Sequence, residues 1–257
     1  MFPLVTETST PYRPPRKSDS TWIEGELYYR DSVPEEAEIL QAARDGTLDL
    51  RIYQQWVEFG WKTPIGSLDS AARFAKKMNE EITELIDAYL EYTTSPDEIT
   101  RQHLLEEAGD VAWVLTAIAS NGGEGITRMT RLALCPGKEN EDSFILNDMV
   151  NTPIPPCDDM PELNSAHPLL RLRAETLVYA IEGFKHHLLD ARVPLEQYEL
   201  ATWGAQYAYK YPYLIAQLHA VLRELGLSLN EAIAGNISKI SDRRIANTLD
   251  KSDPGRS

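Results

Sequence analysis

Apolar residues recur at helical spacing through most of the chain from about Pro34 onward. In segment 50–63 they lie three and four positions apart, at Leu50, Tyr53, Trp56 and Val57. Two longer segments repeat this spacing, first at Phe74, Met78, Ile82, Leu85, Ile86 and Tyr89, then at Leu104, Leu105, Ala108, Val111, Ala112, Leu115, Ile118 and Ala119. No clear alternation of the kind found in β-strands accompanies them. The pattern therefore predicts an all-α protein built as a helical bundle.

Helix boundaries can be read from residues with known positional preferences. In "SPDE", Ser95 is predicted to cap a helix, with Pro96 at its first position and Glu98 completing a capping box. The helix that follows is expected to end at "NGG", where glycines favour a stop.

Composition shifts along the chain predict five regions. These are a flexible N-terminal arm (1–33), an acidic metal-binding helical half (34–133), a linker or insertion (134–168), a second helical half with a cationic last helix (169–249) and a flexible tail (250–257).

Two segments of the first helical half can each be laid over a segment of the second. The segment from Val111 onward aligns with that from Leu218 onward, each being an apolar helix, a break with glycine and a short second helix. The segment from Ala174 onward can likewise be laid over the first acidic helix. On these two alignments Leu177, Ala180 and Gln217 stand where Glu81, Glu84 and Asp110 stand, so the acids of the first half are replaced in the second. This pattern predicts an internally duplicated pseudo-dimer whose second half is degenerate; the alternative interpretation is a chance likeness between two helical hairpins.

The charge balance limits the classes of partner. The 257 residues include 40 acidic and 25 basic side chains, for a net charge of −15. Such a surface disfavours nucleic acid and anionic membranes. No secretory signal or membrane-spanning run is evident, and Cys135 and Cys157 lack the spacing of a usual zinc site. We therefore expect a cytoplasmic protein.

Carboxylates cluster at the same phase on the two long helices. At about 100° per residue, Glu80, Glu84 and Glu81 fall near 0°, 40° and 100° around the first helix. Glu106, Asp110 and Glu107 repeat these angles on the second. If the helices are antiparallel, the two acidic edges face each other.

Facing carboxylates raise each other's pKa unless a cation neutralises them, and their oxygens suit Mg²⁺ or Mn²⁺. The alternative interpretation is a solvated acidic surface. A di-iron carboxylate site is less suitable, because neither helix has a His three residues after a Glu.

The last helix offers cations for a phosphate ligand. Asn236, Lys239 and Arg243 follow spacings of three and four residues, which places them on one face. Lys and Arg bind phosphate well. The alternative interpretation is a basic last turn that complements the helix dipole.

Together these segments resemble the MazG-like superfamily of all-α nucleoside triphosphate pyrophosphohydrolases, which includes the dimeric dUTPases and phosphoribosyl-ATP pyrophosphatases. The matching motifs are "EEITE" (80–84), "EAGD" (107–110), "IYQQWVEFGWKT" (52–63) and "NISKISDR" (236–243), in the family's order. The match covers about 49–123 and 213–249. The long stretch between Asn121 and Leu227 departs from the family and puts its usual oligomeric state, often a homo-oligomer, in doubt.

The resemblance implies a residue set and a reaction. Mg²⁺, or alternatively Mn²⁺, would be held by four ligands, namely Glu81, Glu84, Glu107 and Asp110. Lys239 and Arg243 would bind phosphates, and Asn236 a phosphate or sugar group. Glu80 would orient or deprotonate the attacking water, or alternatively support the metal ligands without contacting the metal. The hydrolase would split a ribo- or deoxynucleoside triphosphate into monophosphate and pyrophosphate, a reaction of nucleotide metabolism.

Two other functions remain open at this stage. One is a phosphoribosyl-ATP pyrophosphatase with the same fold. The other is a helical nucleotide-binding module without turnover.

Overall fold

The structure is a computed structural model that describes residues 20–23, 26–29, 36–59, 68–121, 125–127, 165–177 and 210–245. Its first part is an antiparallel strand pair, β1 (Ser20–Ile23) and β2 (Glu26–Tyr29), in which Ser20 pairs with Tyr29 and Ile23 with Glu26. The sequence pattern did not predict these two short strands. They precede the helices that form the core.

The remaining elements are helices. They are α1 (Glu36–Arg44), α2 (Leu50–Phe59), α3 (Leu68–Thr94), α4 (Glu98–Asn121), α5 (168–177), α6 (Tyr211–Glu224) and α7 (Leu229–Ile245). The predicted all-α class is confirmed. Within these helices, no segment is sufficiently long and apolar to traverse a membrane. Most of the predicted linker, residues 134–164, and residues 178–209 of the second half lie outside the described residues.

Helix α4 is the centre of the bundle. It packs against α2, α3, α6 and α7, and every side chain from Val111 to Ser120 is buried. The predicted apolar stripes of α2 and α4 are buried throughout, and that of α3 is buried as far as Leu85. Ile86 and Tyr89 are partly buried against the same core. The helical period therefore identified the core faces, while the burial of α4 on all sides between Val111 and Ser120 comes from its many neighbours.

A tight connection makes α3 and α4 antiparallel neighbours. Only residues 95–97 separate Thr94 from Glu98. The predicted cap at Ser95 is wrong, because Asp97 caps α4 instead. Asp97 Oδ1 accepts a bond from the Thr100 amide at 2.8 Å, and the Asp97 amide donates to Thr100 Oγ1 at 3.0 Å. This reciprocal pair places the cap at Asp97, two residues after Ser95, and the helix begins at Glu98.

A compact turn also joins α6 to α7. Gly226 adopts φ of 73°, and its amide bonds to the Arg223 carbonyl while the Leu227 amide bonds to the Leu222 carbonyl. This is a Schellman motif, in which glycine takes the left-handed position at no steric cost. Immediately afterwards Ser228 and Glu231 exchange hydrogen bonds of 3.0 and 3.2 Å across the first turn of α7.

Helix α7 approaches α4 closely at Gly109. A Cβ atom at this position would lie 2.5 Å from the Ala232 carbonyl oxygen and 2.7 Å from Asn236 Cβ. Only a residue without a side chain permits that contact. Because Gly109 directly precedes Asp110, the close approach brings the polar face of α7 to the acidic edge of α4.

Candidate metal centre

Helix α3 carries one stripe of charged residues beside its apolar face. Lys77, Glu81 and Glu84 follow spacings of four and three, so they lie one above another. Glu81 is only 1% exposed, whereas Glu84 is exposed. The stripe thus runs along the border between the core and solvent.

Glu107 of α4 completes a group of three carboxylates with Glu81 and Glu84. One oxygen of each lies within 4.8 Å of the others, which is close enough for all three to contact one cation. Glu81 is buried, Glu107 is intermediate and Glu84 is exposed. The group is therefore deep on one side and open to solvent on the other.

Two oxygens in this group are left unsatisfied. Among the described residues, neither Glu81 Oε2 nor Glu107 Oε2 has a hydrogen-bond partner, although both atoms are buried. A buried oxygen without a donor costs free energy, and such groups in native proteins call for an explanation. A cation between the three carboxylates would supply one.

Burial and mutual repulsion raise the pKa values of the two deeper acids. For Glu81, burial is the main cause and raises the pKa from 4.5 to about 7; Lys77 opposes this shift, and Asp110 and Glu84 add to it. For Glu107, burial and then the charges of Asp110 and Glu84 raise the pKa to about 6. Without a cation, the folded protein therefore disfavours full ionisation of its own carboxylates.

The repulsion is large enough to matter for stability. Two unit charges about 5 Å apart at an effective dielectric constant of about 20 repel by roughly 3 kcal/mol. The three carboxylates contain three such pairs. A divalent cation would turn this repulsion into attraction, and an oxygen-only ligand set is the kind that Mg²⁺ and Mn²⁺ prefer.

Asp110 lies one turn beyond Glu107 and contacts α7. Its two carboxylate oxygens accept hydrogen bonds from Asn236 Nδ2 and from Lys239 Nζ, which also forms an ion pair with it. Asn236 is fully buried, and its Oδ1 has no hydrogen-bond partner among the described residues. The predicted carboxylate and two of the predicted substrate residues are therefore in direct contact.

Buried hydroxyl groups lie behind Asp110. The Thr116 hydroxyl donates to the Tyr211 hydroxyl at 3.4 Å. The negative charge of Asp110 contributes to raising the pKa of Tyr53. Burial is the main cause that raises the pKa of both tyrosines above the usual value, so they remain neutral. Helices α2, α4 and α6 thus place neutral polar groups on the inner side of the acidic edge.

The remaining predicted residues lie at the periphery. Glu80 is exposed and pairs with Lys76 at 3.6 Å, outside the group of three carboxylates. Arg243 is exposed one turn after Lys239 on α7. Their suggested roles stay predictions.

Two nitrogen-bearing side chains next to the carboxylates were missed by the sequence reasoning. Lys77 forms an ion pair with Glu81, and His103 Nε2 lies 3.5 Å from Glu107 Oε1. Each residue stands four positions before the acid that it contacts, so the two side chains lie on the same face of their helix. This i, i+4 spacing was the signal that could have identified them.

Comparison with known proteins adds no identification. No family model matches the chain, and neither a curated protein nor a solved structure matches it.

Proposed function

We propose that the chain is a Mg²⁺-dependent pyrophosphohydrolase that splits nucleoside triphosphates into the monophosphate and pyrophosphate. The convergence of Glu81, Glu84 and Glu107, with unsatisfied buried oxygens on two of them, is the observation that carries this proposal. An acidic surface helix would expose these oxygens to water instead. The resemblance of the motifs to the MazG-like superfamily supplies the reaction.

The residues fit a divalent cation. Glu81, Glu84 and Glu107 would hold it. Asp110, the fourth predicted ligand, lies outside this group of three, and its two oxygens accept hydrogen bonds from Asn236 and Lys239. When bound, Mg²⁺ supplies charge neutralisation for phosphate oxygens and orients an attacking water. The exposed side of Glu84 leaves an approach for a polar substrate from solvent.

The protein's own groups would position the triphosphate. Lys239 is 19% exposed at its side chain and stands next to the carboxylates, so its ammonium group can contact both Asp110 and a phosphate. Arg243 would contact the outer part of the phosphate chain from the next turn. Asn236 is better suited to orienting Asp110 than to meeting solvent, because it is fully buried.

Glu80 remains the candidate for orienting or deprotonating the water. It lies next to Glu81 on the solvent side of α3 and pairs only loosely with Lys76. Replacing Glu80 by Gln should lower kcat with little change in KM if this role holds. An unchanged kcat would remove Glu80 from the mechanism.

The proposal is tested by product analysis. The protein is incubated with phosphoribosyl-ATP or with a panel of ribo- and deoxynucleoside triphosphates, each with Mg²⁺, and the products are resolved. Monophosphate and pyrophosphate in equal amounts are expected. Hydrolysis restricted to phosphoribosyl-ATP would indicate the related pyrophosphatase, and binding of nucleotides without turnover would indicate a nucleotide-binding module.

Substitutions locate the activity. Glu84→Gln and Asp110→Asn should abolish turnover while circular dichroism shows an intact helical fold. Asp87→Asn is the matched control, because Asp87 is also exposed on α3 but lies outside the group of three carboxylates. Full activity in both Glu84→Gln and Asp110→Asn would show that this is the wrong site.

A further inference from the structure

We propose that Lys77 is a second phosphate-binding cation of this site, in addition to Lys239. The inference rests on the proposed function, because it assigns Lys77 to the triphosphate of the substrate. The observation behind it is the ion pair that joins Lys77 to the most buried of the three converging carboxylates.

The pair leaves Glu81 able to bind a metal ion. Lys77 Nζ contacts Glu81 Oε1, whereas Oε2 is the buried oxygen that has no partner among the described residues. One oxygen can therefore face the cation while the other keeps its contact with Lys77. An ammonium group has three N–H donors, so this contact is compatible with donation to a phosphate oxygen.

The exposure of Lys77 suits a substrate contact. Its side chain is 41% exposed, while that of Glu81 is 2% exposed. The pair thus spans the distance from the buried end of the group to solvent. Glu84, one turn beyond Glu81 on the same stripe, is exposed as well. A phosphate chain that reaches the carboxylates from solvent would pass the Lys77 ammonium group.

The charges of the site also favour this role. Glu81, Glu84, Glu107 and Asp110 carry four negative charges when ionised, and one divalent cation offsets two of them. Lys239, paired with Asp110 from α7, offsets a third. Lys77 offsets the fourth from α3. Without Lys77 one negative charge next to the cation would stay unbalanced by these groups, which disfavours the approach of a triphosphate.

The test uses inorganic tripolyphosphate, which has neither base nor sugar. Its Mn²⁺-dependent binding to the full chain is measured by calorimetry, together with binding of Mn²⁺ alone. Lys77→Met should weaken tripolyphosphate binding by about tenfold, the effect of losing one charge-assisted hydrogen bond. Lys77→Arg should restore most of it. Lys76→Met is the control, because Lys76 is 65% exposed and contacts Glu80 outside the group.

The outcomes separate this inference from the proposed function. Unchanged tripolyphosphate binding by Lys77→Met would overturn the inference, and so would an equal loss of Mn²⁺ binding, which would mean that Lys77 only supports the carboxylates. If the unmodified protein binds Mn²⁺ and tripolyphosphate through Lys77 but hydrolyses no nucleotide, the assignment of Lys77 stands and the pyrophosphohydrolase proposal fails.

Discussion

Substitution of Gly109 by alanine tests how the two site-bearing helices meet. The new Cβ atom would lie 2.5 Å from the Ala232 carbonyl oxygen and 2.7 Å from Asn236 Cβ. Ordinary contact begins at 3.4 Å, so the backbone of α7 would have to retreat by 3.4 − 2.5 = 0.9 Å near Ala232. Backbone cannot rotate away as a flexible side chain can.

Two opposing effects determine the change in stability. Alanine is a better helix former than glycine by up to about 1 kcal/mol. Overpacking a close contact costs about 1–3 kcal/mol, and a clash with main-chain atoms belongs in the upper part of that range. We therefore expect Gly109→Ala to lower the free energy of unfolding by about 1–2 kcal/mol.

Urea unfolding, followed by tryptophan fluorescence and circular dichroism, measures this change. Gly235→Ala is the matched control: Gly235 lies on α7, and a Cβ there would meet nothing within 4 Å. That variant should gain about 0.5–1 kcal/mol from helix propensity alone. The two substitutions are chemically identical, so a difference in sign isolates the contact between α4 and α7.

The same variant should also weaken the site. A displaced α7 would move Asn236 and Lys239 away from Asp110, so affinity for Mn²⁺ and tripolyphosphate should fall. If Gly109→Ala were as stable as Gly235→Ala, α4 and α7 could not be packed as described, and the contact of Asp110 with α7 would be refuted.

Further predictions concern charge and buried polar groups. Because burial raises the pKa of Glu81 from 4.5 to about 7, the folded protein retains a proton that the unfolded chain releases. Without divalent ions, Glu81 should therefore contribute a loss of stability of roughly 3 kcal/mol as the pH rises from about 5 to about 8. The difference in unfolding free energy between the unmodified protein and Glu81→Gln measures this, and a difference that does not vary with pH would contradict it. Mg²⁺ should raise Tm more at pH 8 than at pH 5.5, because it binds the deprotonated carboxylates. Glu81→Gln should abolish most of this increase. An equal increase in Tm at both pH values would argue against these ligands. Gln54→Ala should lower the free energy of unfolding by about 2 kcal/mol. In the core, the Gln54 side chain donates to the Ser120 hydroxyl at 3.0 Å and accepts from the Ile126 amide at 2.9 Å. An unchanged midpoint of urea unfolding would show that these bonds do not stabilise the fold.

The sequence alone determined the helices and their inward faces. The 3.6-residue period places Phe74, Met78, Ile82 and Leu85 on one face of α3, and all four are buried. It also predicted that acids at matched phase would face each other, and Glu81, Glu84 and Glu107 do converge. These features follow from geometry within single helices and from the short connection that forces α3 and α4 to be antiparallel.

The tertiary structure alone decided the degree of burial and the contacts between distant segments. Glu81 and Glu80 are adjacent in sequence, yet one is 1% exposed and the other is exposed to solvent. Asp110 meets Asn236 and Lys239 across more than a hundred residues because Gly109 permits a backbone contact. Hydrophobic periodicity reports which face of a helix turns inward, but it contains no information about which helix will cover that face or how closely it will approach.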